Sequence, residues 1–170
     1  MATYPFITKG TTVRIGASGT TIASGTDLKG VLIEDPVINV GEAENNTLTA
    51  SDGTKYSFAG QEGDNDTSFV CVMTGDTITA LMNSIYGVGT AGDAGSLTST
   101  LWNLTSAGGT TKNIFFTPPT NEDGDAIKLI AVNAKGLSAK PKMALGTGWT
   151  VEVKYTCDKY QFQYDSNTSD

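Results

Sequence analysis

Three acidic clusters carry the side chains best equipped for chemistry: Glu34-Asp35, Asp64-Asn65-Asp66 and Asn121-Glu122-Asp123-Gly124-Asp125. Two carboxylates held several ångströms apart across a cleft can hydrolyse a glycosidic bond. Several close oxygens suit a hard cation, and the last cluster has part of a calcium-loop pattern without its full spacing or closing glutamate. All three fall among turn residues, where Asp, Asn and Gly are expected for backbone reasons alone, so they read as turns. The chain has no histidine, which removes the commonest general base and zinc ligand. Two cysteines, Cys71 and Cys157, are too few for a disulfide framework or a Cys-only zinc site. Cys71 sits in the apolar run Phe69-Val70-Cys71-Val72-Met73 and reads as a small buried hydrophobe. The glycine-rich run Gly87 to Gly95 lacks the Lys-Ser/Thr of a phosphate loop and reads as a flexible connection. Sequons begin at Asn45, Asn65, Asn103 and Asn167, but the N-terminus shows no secretory signal, so a reducing cytosol is expected. The residues thus point to no enzyme, no cofactor and no metal.

The elements that must position these residues are mostly strands. At 170 residues the chain has the length of one domain, 1–170. With 38% apolar and 17% charged residues it is neither disordered in composition nor equipped with an apolar span long enough for a membrane. Its 26 threonines and 20 glycines favour strands and turns. Strands are expected at 11–15, 31–33, 37–40, 67–74, 97–104, 112–117 and 126–134. At the end, Trp149, Val151, Val153 and Tyr155 alternate with polar residues, as do Tyr160, Phe162 and Tyr164 beyond Cys157-Asp158. That pattern predicts a hairpin with one apolar and one wet face. Trp102 and Trp149 both read as internal.

One segment is helical. Ile78, Leu81, Met82, Ile85 and Tyr86 follow the spacing of one helix face, predicting a helix over 77–86 with Asp76 as N-cap and Gly87 beyond its end. The fold class is therefore mainly β, a sandwich or barrel with one short packed α-helix. The stretch 41–66 is a long polar, acidic loop or hairpin with a turn at Asp52-Gly53 and with Tyr56 and Phe58 inside it. An N-terminal arm, 1–10, and a tail, 165–170, flank the domain.

Eleven basic against 18 acidic residues give a net charge of −7, and Arg14 is the one arginine. Gripping phosphates needs clustered Lys and Arg, so ordinary nucleic-acid binding is excluded. An acidic chain is suited instead to lying near DNA without holding it.

The segment from Gly63 to Tyr86, with its Asp66-Thr67-Ser68-Phe69 strand start followed by the helix, resembles the major tail tube proteins of long-tailed (siphovirus-like) bacteriophages. The order of elements agrees over roughly 10–160: an acidic loop, a strand, one amphipathic helix, further strands. The resemblance implies a structural virion protein of the tail, assembled in the host bacterial cytoplasm. Homo-hexameric rings would join their sheets into a barrel and stack through the long loop and terminal arms. A tape measure protein, a tail terminator and baseplate proteins would be partners. DNA would pass from capsid to host through an acidic lumen without specific binding, and the chain would not insert into a membrane. Residues for self-association are Tyr4, Phe6, Ile7, Glu42, Glu44, Tyr56 and Phe58, and Glu152 is the candidate for facing the lumen. The alternatives are a capsid decoration or head–tail connector protein, the inner tube of a contractile injection system, and a secreted carbohydrate-binding sandwich or glycosidase.

Overall fold

The structure, a computed structural model, describes residues 5–6, 9–19, 26–32, 36–38, 43–62, 65–92, 99–104, 111–143, 145–146 and 148–166. β-Branched and aromatic side chains lose rotamer freedom in a helix but pack well on a pleated surface. The described residues accordingly run through β1 (Thr12–Ala17), β2 (Thr26–Val31), β3 (Val37–Ile38), β4 (Ala43–Thr49), β5 (Lys55–Glu62), β6 (Asn65–Val72), α1 (Gly75–Tyr86), β7 (Thr90–Ala91), β8 (Thr100–Leu101), β9 (Lys112–Thr117), β10 (Ala126–Lys142), β11 (Thr150–Cys157) and β12 (Lys159–Asp165). The protein is mainly β with one short helix.

One antiparallel sheet dominates, in the order β2-β1-β9-β10-β11-β6-β3, with β12 also beside β10. A bridge between Leu32 and Cys71 brings the chain just past β2 against β6. The sheet therefore curls back towards itself like an incomplete barrel. The ribbons β4–β5 and β7–β8 stand apart from it.

The curl depends on β10, a strand of 17 residues that serves two neighbourhoods. Its first part pairs with β12, from Ala126 opposite Asp165 to Val132 opposite Lys159, and with β9. Its second part pairs with β11, from Lys135 opposite Thr156 to Lys142 opposite Thr150. Register shifts between Ala131 and Ala134 and between Lys135 and Ser138 mark bulges, which bend and twist a strand. Within this hinge Asn133 (φ 54°) and Gly136 (φ 61°) adopt left-handed backbone conformations. Glycine does so without a Cβ clash, and asparagine is among the few other residues that tolerate it. Asn133 is also held by its surroundings. Its N–H donates to Asn113 Oδ1 at 3.1 Å, its Nδ2 donates to Asp158 Oδ2 at 2.9 Å, and Ser18 Oγ donates to its Oδ1.

Two expectations are corrected here. The strand expected to end at Ala134 continues to Lys142. The expected terminal hairpin is absent: β11 pairs with β10 and β6, whereas β12 pairs with the other half of β10. Asp158 N–H donates to Val132 O at 3.0 Å and turns the chain across the hinge. Period-2 alternation reports which face a side chain takes, and carries nothing about which strand lies alongside.

Inward residues of β1, β6, β9, β10 and β11 meet in the core, among them Val13, Ile15, Phe69, Ile114, Leu137, Val151 and Val153. Phe69 packs edge-on against Phe116 (5.6 Å between centroids) and Tyr155 (6.3 Å). Helix α1 buries Leu81, Met82 and Ile85 against this cluster. It starts two residues before the expected Thr77. Thr74, and not Asp76, is the N-cap: its backbone is extended and its Oγ1 accepts the Thr77 N–H at 3.3 Å. Asp76 lies in the first turn, where the helix dipole favours an anion. Gly87 (φ 82°) ends the helix. Two polar contacts tie it down: Trp102 Nε1 donates to Asn83 Oδ1 at 3.0 Å, and Ala139 N–H donates to the Tyr86 hydroxyl at 3.0 Å.

Further differences are local. Of the strand expected over 97–104, residues 97 and 98 lie outside the described residues, and within 99–104 only Thr100–Leu101 is strand, paired with Thr90–Ala91 inside the run read as a flexible connection. Trp102 packs against the core as expected, but Trp149 is half exposed. Ile33, Asn39 and Val40 of the expected second and third strands lie outside the described residues.

Candidate interaction surfaces

Of the groups first considered for chemistry, the third acidic cluster is engaged in structure. Asn121 Oδ1 accepts the Asp125 N–H at 2.7 Å, and Gly124 N–H donates to Asn121 O at 3.0 Å, closing the third acidic cluster into a turn. The Tyr164 hydroxyl donates to Asp125 Oδ2 at 3.1 Å. Glu34, Asp35 and Asp64 lie outside the described residues. No group of three or more Cys, Asp or Glu placed to hold a metal occurs among the described residues. Cys71 and Cys157 are buried, and neither is part of a disulfide. Cys71 lies opposite Val151 and Cys157 opposite Asn65, at separate positions along the β6–β11 ladder. Burial pushes the Cys71 thiol up to about 12 and raises that of Cys157, so neither offers a thiolate nucleophile near neutral pH.

Within the acidic stretch, residues 43–62 form the β4–β5 hairpin. Ala50 N–H donates to Thr54 O at 2.8 Å, Gly53 N–H donates to Ala50 O at 2.9 Å, and Gly53 has φ 84°. Asp52 Oδ1 accepts the Thr54 N–H at 2.9 Å, which lowers its pKa. The ladder sets Leu48 opposite Tyr56 and Asn46 opposite Phe58. Among the described residues no other strand, nor the helix, makes more than marginal contact with this ribbon. Of the residues singled out for self-association, Glu44, Tyr56 and Phe58 are on its two strands. Glu42, Tyr4 and Ile7 lie outside the described residues. Phe6 packs edge-on against Tyr164 of its own chain, 6.4 Å between centroids.

Glu152 lies on the polar face of β11, its side chain 17% exposed, with Oε2 3.3 Å from Lys142 Nζ and Oε1 3.7 Å from Lys154 Nζ. Lys140 is its register partner on β10. The surroundings of Glu152 are therefore lysine-rich, although the chain as a whole is acidic. A shallow groove of about 360 Å³ on the same face is lined by Val37, Ser68, Lys135 and Lys154 among others. Lys135 Nζ itself pairs with Asp158 Oδ1 at 2.6 Å.

Among the described residues, several large apolar side chains are exposed, including Val88, Leu101 and Leu104 around the β7–β8 ribbon. On β12, Phe162 and Tyr164 are 66% and 54% exposed. At the turn between β10 and β11, Met143, Leu145 and Trp149 are 68%, 102% and 50% exposed. Sequence reasoning missed this turn. Its signal is Lys140, Lys142, Met143 and Leu145 running into Gly146 and Gly148, a basic and apolar segment in an acidic chain.

No family model and no curated protein matches the sequence. Solved structures do. A chain of the PVC sheath–tube complex, an extracellular contractile injection system in its extended state, is 13% identical with a TM-score of 0.54, covering 94% of this chain and 92% of that one. The PVC sheath/tube terminator in the extended state is 12% identical with a TM-score of 0.54, over 96% and 99%. The cap of the anti-feeding prophage, a tube-terminating cap, is 12% identical with a TM-score of 0.50, over 96% and 93%. The fold is tail-tube-like.

Proposed function

We propose that the chain is a non-catalytic structural subunit of a tail-like tube. The single observation that carries this is the end-to-end agreement in fold with injection-system tube and terminator assemblies, more than nine-tenths of each chain taking part. In the fuller reading it is the tail tube protein of a long-tailed, siphovirus-like bacteriophage. It forms homo-hexameric rings that stack into a tube, assembled in the host cytoplasm and carried in the virion tail. The tape measure protein, tail terminator and baseplate proteins are its partners, and DNA passes through the lumen unbound.

Two physical features support self-assembly. Strand edges that invite aggregation in a monomer become hydrogen-bonded seams in a ring. A two-stranded hairpin is marginal alone in water and gains stability against a neighbour. The net charge of −7 favours free passage of phosphates. Glu152, proposed for the lumen, would be one charge on a mixed face, since Lys142 and Lys154 flank it. Glu42, Glu44, Tyr56 and Phe58, with Tyr4, Phe6 and Ile7, remain the residues proposed for contacts between subunits.

A second reading, the inner tube or terminator of a contractile system, is favoured by the sources of the similar folds. It differs in needing a sheath protein around the tube.

Negative-stain electron microscopy of the concentrated protein tests the proposal, with added salt to screen repulsion between acidic subunits. Hollow, regularly striated tubes are expected, together with a folded chain lacking residues 42–64 that makes none. A wild-type chain that stays monomeric throughout overturns the tube reading. Tubes of normal form from the shortened chain overturn the role of the hairpin.

A further inference from the structure

We propose that the turn joining β10 and β11 is the acceptor for the β4–β5 hairpin of a second copy of this chain. The inference rests on the tube reading and adds the surface on which one copy receives the next.

Composition makes the two segments complementary. The stretch 42–66 carries Glu42, Glu44, Asp52, Glu62, Asp64 and Asp66 against the single Lys55, together with Leu48, Tyr56 and Phe58. The stretch 140–149 carries Lys140 and Lys142 and no acid, and it exposes Met143, Leu145 and Trp149. Lys142 is partly matched by Glu152 at 3.3 Å, whereas Lys140 forms no ion pair among the described residues. Apolar contact supplies the affinity and opposite charge the register. Another exposed apolar pair, Phe162 and Tyr164, suits the hairpin less well: Phe6 already lies on Tyr164, and Asp125 accepts its hydroxyl.

Topology sets donor and acceptor apart. The hairpin precedes Asn65 at one end of β6, which pairs with Cys157. The turn adjoins the other end, where Val72 pairs with Thr150 and Met73 N–H donates to Trp149 O at 3.0 Å. An eight-residue strand spans roughly 25 Å. A patch at one end of a subunit that fits a different patch at the other end is a heterologous contact, which propagates head to tail and does not close into a pair. Such a contact extends a stack.

The test compares the full-length chain with a Lys140→Glu/Leu145→Asp variant. Both positions are exposed, so circular dichroism and melting are expected to stay unchanged. The concentration needed for tubes is expected to rise by about tenfold or more. In parallel, a chain carrying Asp52→Cys and Leu145→Cys is oxidised under assembly conditions, the native cysteines being buried. A ladder of covalent multimers is expected from the double variant and from neither single variant. If wild-type tubes form while the Lys140→Glu/Leu145→Asp chain assembles equally well and no ladder appears, this acceptor site is wrong and the tube reading survives. If the wild-type chain never assembles, the tube reading fails and the inference with it.

Discussion

Replacing Gly136 with alanine tests the hinge that lets one strand serve both halves of the sheet. Gly136 has φ 61°, and a Cβ built there meets no heavy atom within 4 Å. Steric clash with neighbours therefore contributes nothing, and the whole effect is the backbone's. A left-handed conformation costs a non-glycine residue about 1–2 kcal/mol. Part of that is offset because alanine also restricts the unfolded chain, an effect of about 0.4–1 kcal/mol. The expected net loss is about 1 kcal/mol, or roughly 2–4 °C in Tm for a chain of this size. Gly75, the first residue of α1, is the matched control. Its added Cβ also meets nothing within 4 Å, and its φ lies outside the left-handed region. Gly75→Ala is expected to be neutral or to stabilise by up to about 1 kcal/mol. Urea unfolding of dilute monomer, followed by tryptophan fluorescence, measures both, with unchanged m-values showing that the unfolding transition is comparable. A Gly136→Ala chain as stable as Gly75→Ala would refute the claim that the β10 bend needs a residue free to take a positive φ.

Thr74→Ala is expected to cost about 1 kcal/mol in the same assay through loss of the N-cap. Asp76→Ala is expected to cost less, because Asp76 acts only through the dipole at about 0.3–1 kcal/mol; a larger loss at Asp76 would restore it as the cap. Stability is also expected to fall in acid. Hydrogen bonds from Lys135 and Asn133 hold Asp158 below its ordinary 3.8, and those from Lys128 and Gln163 do the same for Asp165. A depressed carboxylate pKa gives stability that is fully present above the unfolded value and is lost as pH falls through the folded one. Urea midpoints should therefore decline below about pH 4, and less steeply in Asp158→Asn; an identical acid slope in that variant would remove Asp158 from the account.

Much of the fold is legible from local pattern. The helix is visible because Ile78, Leu81, Met82, Ile85 and Tyr86 share one face at helical spacing, and three of them are buried. Cys71 is readable as core because its neighbours on both sides are apolar. The N-cap was displaced because Thr74 and Asp76 are both good caps, and the choice depends on where the backbone leaves β6. Trp149 looks internal by alternation with Val151 and Val153, yet it lies past the last ladder pair, Thr150 with Lys142, where no strand among the described residues covers it. Phe6, first named for self-association, meets its own chain, and Glu152, first named for the lumen, sits among lysines contributed by β10 as well as β11.

The sequence by itself determined the class of the protein: a threonine-rich, histidine-free acidic chain whose periodicities specify strands and one amphipathic helix. Those are properties of neighbouring residues, set by side-chain sterics and by which face must leave water. Only the tertiary structure decided that β11 and β12 flank different halves of β10. It also decided that four lysines of β10 and β11, at 135, 140, 142 and 154, are brought onto neighbouring strands, and that Met143, Leu145 and Trp149 between those strands are exposed. Partner choice between strands is a long-range matter. It depends on the whole core closing at once around a bend at Asn133 and Gly136, which no local pattern encodes.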